Sequence, residues 1–154
     1  MSDDATAAAV PTQQRALGLP ILALLGLAAL GVPRVILHDL HLIEEGSPVT
    51  WILSLLPVAV WITVAVLMRV PHPFLTVLMI GVFYGVMLVI THQLLWESAF
   101  DGRTIAVGDG PIAALVPRIA AVPSGLFTGA AVGAIGGLIA AGIQGVRRRS
   151  APSN

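Results

Sequence analysis

Four stretches of the chain run for about twenty residues with few polar side chains: 17–37, 51–68, 74–96 and 125–146. A hydrocarbon core about 30 Å thick needs roughly 20 apolar residues per helix. None of the four carries a charge in its central part, and Arg34 lies near the end of the first, where a long side chain reaches the headgroups. The pattern predicts an all-α integral membrane protein with four transmembrane helices in an up-down bundle.

Composition agrees: 56% of the residues are hydrophobic, only 10% are charged, and mean hydropathy is +0.93. A soluble domain carries about 25% charged residues, so a soluble or disordered chain is excluded. There is no cysteine, hence no disulfide scaffold, redox motif or thiolate metal site. Eight Arg balance eight Asp and Glu, which gives no reason to expect a nucleic-acid partner. Richness in Ala, Gly, Val and Arg without any Lys points to a bacterial gene of high GC content.

The arginines set the orientation. With the N-terminus in the cytoplasm, Arg15, Arg69, Arg147, Arg148 and Arg149 lie inside, and Arg34, Arg103 and Arg118 lie outside. Five against three favours both termini on the cytoplasmic face of the inner (plasma) membrane. The run Arg147–Arg149 opens a basic tail, 147–154, that an anionic leaflet attracts. Trp51 and Trp96 mark the outer interface. Residues 1–14 read as a disordered polar tail. A cleaved signal peptide is the competing reading of the first span, but Asp3 and Asp4 outweigh Arg15 where a positive region is needed.

The connections differ. Pro71 and Pro73 allow only a tight hairpin between the second and third spans, which must then be antiparallel. The loop 97–124 is long, with turn signals at Asp101-Gly102 and Gly108-Asp109-Gly110 around an extended-looking 104–107. Segment 112–122 is apolar but too short to span. Pro111, Pro117 and Pro123 punctuate it, so it reads as interfacial, re-entrant or simply an apolar loop.

In the fourth span Gly125, Gly129, Gly133, Gly137, Ala141 and Gly145 recur every four residues. Small residues let helix backbones approach closely in lipid, where dispersion contacts replace the hydrophobic effect. Gly81 and Gly85 in the third span are the natural counterpart. Whether the partner helix lies in this chain, in a second copy or in a larger membrane complex is left open by the sequence.

The candidate chemistry lies at the end of the first span. On a helix continuing to Gly46, Arg34, His38, His41 and Glu45 are spaced 4, 3 and 4 apart and share one face. His92, near the outer end of the third span, could join them. Imidazole and carboxylate ligands suit Zn²⁺ or a similar divalent metal, and histidine also titrates near neutral pH. The plainer reading, a solvated stripe at headgroup level, is preferred.

Tyr84 near mid-span is expected to face the bundle, Trp61 to fill volume, Pro57 to bend its helix and Gln144 to be interfacial. Ser54, Thr63, Thr76 and Thr128 are expected to bond their own helices. No nucleophile elbow, phosphate loop or zinc-protease motif occurs. The sequence therefore predicts a non-enzymatic structural or accessory membrane protein. The alternative is a small transporter or channel with an outer site at His38, His41, Glu45 and His92.

Overall fold

The computed structural model describes residues 17–150. Among the described residues lie the helices α1 (Ile21–Ala29), α2 (Val32–Asp39), α3 (Pro48–Leu67), α4 (Pro73–Leu94), the short α5 (Trp96–Ala99) and α6 (Leu115–Arg149). No strand forms among the described residues. Taken together, α1 and α2 (Ile21–Asp39), then α3, α4 and α6, are long and apolar enough to cross a membrane. These four helical lengths support a multi-pass membrane protein. The expected tail 1–14 lies outside the described residues.

Pro33 breaks the first span. It has no N–H to offer Ala29, and the chain tightens into three-residue turns before it. Leu30 N donates to Leu27 O at 3.2 Å and Gly31 N to Ala28 O at 3.1 Å. In an unbroken helix Gly31 would bond Leu27. Here Trp61 Nε1 of α3 donates to that carbonyl at 2.7 Å. Trp61, 1% exposed, thus fills volume as expected and also ties α3 to the break. Trp61→Phe should leave the carbonyl without this donor and cost on the order of 1–3 kcal/mol, read as a lower unfolding temperature in detergent. An unchanged temperature would show that the bond contributes nothing.

Helix α3 starts at Pro48, three residues before the expected boundary, because Ser47 caps it by accepting from Thr50 N. The hairpin to α4 closes at Arg69, in the left-handed region at φ 49°, and buries Val70. Leu17 docks on this end through its carbonyl, which accepts from Thr76 Oγ1 at 2.7 Å. Thr76 therefore joins two segments as well as bonding His72 O in the first turn of its own helix. Gln144, expected at the interface, is instead buried and donates to Ala65 O at 2.9 Å.

Helix α6 contains the largest departure from expectation. Residues 115–122 are not a separate segment: they are the first turns of one 35-residue helix. Pro117 sits in the first turn, where amides have no helical acceptor to lose. Pro123 removes a single interior bond, which a long membrane helix tolerates. At 1.5 Å per residue the helix is about 50 Å long, well beyond a hydrocarbon core of about 30 Å. At its other end Arg147, Arg148 and Arg149 form the last helical turn rather than a tail, where cations suit the helix dipole.

Helix α4 is central and touches every other helix; its contact with α6 is the most extensive. A Cβ placed on Gly81 would lie 2.5 Å from Gly129 O and 2.5 Å from Gly133 Cα. One on Gly129 would collide with Gly81 O and Gly85 Cα, and one on Gly137 would lie 2.7 Å from Phe74 O. Gly125 faces Val89 and Leu88 side chains, and Gly85 faces Gly125 O. The partner of these glycines is therefore a helix of the same chain. Gly145 does not continue the contact; nothing lies within 4 Å of a Cβ there. Beyond Gly137 the buried positions are Ala140 and Gln144. A four-residue step overshoots a 3.6-residue turn by about 40°, so a strict every-fourth row drifts around α6, and beyond Gly137 the buried Gln144 meets Ala65 of α3 instead.

Candidate functional site

Two polar constellations lie inside the packed helices. The first is built around Asp39, the last residue of α2, which is 2% exposed. His92 Nδ1, from the last turn of α4, donates to Asp39 Oδ2 at 2.9 Å. His38 Nδ1 lies 3.2 Å from Asp39 Oδ1, and His38 Nε2 lies 2.8 Å from Glu45 Oε1. Both nitrogens of His38 thus face carboxylate oxygens, an arrangement in which an imidazolium donates twice. The His92 ring stands edge-on to Trp96 and Phe100, with centroids 5.4 and 6.1 Å away. Arg118 of α6 lies over the Trp96 ring at 5.2 Å, and its carbonyl accepts from Gln93 Nε2 at 2.7 Å. Trp96 is consequently 6% exposed and packed among helices, whereas Trp51, at the start of α3, is 60% exposed.

The four expected site residues are only partly brought together. His38, Glu45 and His92 gather around Asp39. His41 does not join them, because α2 ends at Asp39 and His41 turns into the left-handed region at φ 55°. It points toward Asp101, 3.9 Å away. Glu45 therefore reaches His38 through a turn, not along a helical face. Among the described residues no three His, Cys, Asp or Glu side chains are placed to hold a metal ion. Asp39 lies outside the polar face that the sequence predicts, yet it organises the cluster. It lies about 100° around a helix from His38, so a search for one polar face discards it, yet only that offset lets it reach α4.

The second constellation is a cavity of about 230 Å³ between α2, α3, α4 and α6. Gly31, Arg34, Tyr84, Trp61, Ser54 and Thr128 are among the residues that line it. Tyr84 is the twelfth of 22 residues in α4 and Pro57 the tenth of 20 in α3, so the cavity lies halfway along both helices. Gly31 is required here, since a Cβ would lie 2.6 Å from the Tyr84 ring. The Tyr84 and Trp61 rings pack at 5.8 Å. Ser54 and Thr128 bond the carbonyls of Thr50 and Ser124 in their own helices, as expected.

Arg34, expected to reach toward the headgroups, has part of its side chain inside the bundle. It lines this mid-helix cavity, and its Nε is buried with no hydrogen-bond partner among the described residues. No carboxylate among those residues forms an ion pair with it; Asp39, the nearest acid in sequence, is engaged by His38 and His92. The kink at Pro33 turns Arg34 inward, which residue spacing alone does not reveal.

Comparison with protein-family models, curated proteins and solved structures finds no match to this chain.

Proposed function

We propose that the chain is a small, non-enzymatic structural or accessory protein of a bacterial inner membrane. In this reading it is an up-down four-helix bundle with both termini cytoplasmic. One observation carries it. All four buried polar side chains among the described residues are engaged in holding the fold together. Asp39 joins α2 to α4, Thr76 joins α4 to Leu17, Gln144 joins α6 to α3, and Thr50 bonds Glu44 O ahead of its own helix. Such bonds suit a rigid membrane body better than a polar conduction path. The small residues at the end of α6 support an accessory role. Gly142 and Gly145 have open space where a Cβ would stand, which leaves room for a helix of a second copy or of a larger complex.

The lack of cysteine makes the test direct. Single cysteines at Asp109 and Ser150 should label oppositely in intact cells: Asp109→Cys with an impermeant maleimide from outside, Ser150→Cys only after permeabilisation. A photo-crosslinking residue in place of Gly145 should yield one adduct of discrete mass in native membranes. Reversed labelling would overturn the orientation, and the absence of any protein adduct would overturn the accessory role.

A further inference from the structure

We propose that the cavity at Arg34 is a binding site for the carboxylate of a monoanion with an apolar body. A guanidinium halfway along a set of apolar helices is costly unless a counter-charge or a full set of acceptors meets it. Among the described residues no acid pairs with Arg34 and its Nε is buried and unpartnered; the group that meets the guanidinium is the Tyr84 hydroxyl, which brings no counter-charge. The remaining polar groups of the cavity fit one anion. Tyr84 supplies a hydroxyl donor, while Ser54 and Thr128 already donate to their own helices. One guanidinium and one phenol match a single negative charge; a phosphate dianion would remain half compensated. Planar, paired N–H groups suit a carboxylate in particular.

The other walls are apolar. Trp61, Val58 and Val132 offer a surface for a hydrocarbon or ring attached to the carboxylate. Leu53 and Pro57 also border a second cavity of about 130 Å³, completed by Leu30, Pro33, Leu56 and Val60. That second cavity offers space for a longer chain. At about 230 Å³ the main cavity is smaller than the roughly 300–1,000 Å³ of drug-sized sites, so it suits the head of an amphiphile or a compact acid. A fatty acid from the bilayer and a soluble aromatic acid share this chemistry.

The full chain, purified in a neutral maltoside detergent, is titrated with decanoate, decanol and benzoate while thermal unfolding is followed. Saturable stabilisation by decanoate and not by decanol supports the site with a bilayer source; saturable stabilisation by benzoate alone supports it with a soluble source. In either case Arg34→Gln should weaken the response about tenfold or more. Tyr84→Phe keeps the ring that fills the space beside Gly31, and should weaken the response a few-fold without unfolding the protein. No saturable shift with either acid, or equal shifts in wild type and both variants, would overturn the proposal. The cysteine and crosslinking tests above do not depend on this outcome, so the two readings fail separately.

Discussion

Gly81→Ala is expected to be the most damaging single-methyl change in the chain. The added Cβ would stand 2.5 Å from Gly129 O and from Gly133 Cα. Both are backbone atoms, so no rotamer change relieves the clash, and α4 and α6 must separate. Separation weakens the dispersion and Cα–H···O contacts on which helix association in lipid depends. Overpacking of this kind costs on the order of 1–3 kcal/mol, occasionally more, and Gly81→Leu should prevent folding. The control is Gly145→Ala, whose Cβ meets nothing within 4 Å. It should be neutral or slightly stabilising, because alanine is the better helix former. Unfolding temperatures in detergent decide the matter. A Gly81→Ala protein as stable as wild type would show that the two backbones do not meet at this point.

Asp39→Ala should rank beside it. The carboxylate is 2% exposed and holds His92 of α4 at 2.9 Å and His38 at 3.2 Å. Removing it leaves His92 and His38 without this acceptor, and a lost bond to a charged group of this kind costs on the order of 1–3 kcal/mol. Asp39→Asn keeps the shape and one acceptor oxygen, and should lose less. Glu45→Ala is the internal comparison. Its side chain is 82% exposed, and a solvated pair contributes at most about 1 kcal/mol. Equal losses for Asp39→Ala and Glu45→Ala would mean that the link between α2 and α4 does not hold the helices together.

The histidine cluster shows how far spacing carries a site. His38, Glu45 and His92 were legible because each is a polar residue near the end of an apolar span. Their organiser, Asp39, was not, because the reading assumed that α2 continues to Gly46. The helix stops at Asp39 and His41 adopts a positive φ, so the expected face dissolves after one turn. Arg34 was legible as a charge at the edge of a span. Its direction depends on the break at Pro33 and on space left by Gly31, and both act through neighbours remote in sequence.

By itself the sequence determined the helices that can cross a membrane, the tight hairpin at Arg69–Pro73 and the small-residue row that lets two backbones meet. These follow from local causes: apolar length, proline geometry and the absence of a Cβ. Tertiary structure decided which rows are used and where polar groups point. Helix α4 takes the glycines from Gly125 to Gly137 and leaves Gly145 free, because α4 begins at Pro73 and Gly137 already meets Phe74, its second residue. Segment 115–122 joins α6 because its prolines fall where a long helix can absorb them. Arg34, Asp39 and Gln144 turn inward because their neighbours in space offer a cavity, an imidazole or a carbonyl. Burial of a polar side chain is settled by the partner it finds across the fold, and that partner lies beyond the reach of any local pattern.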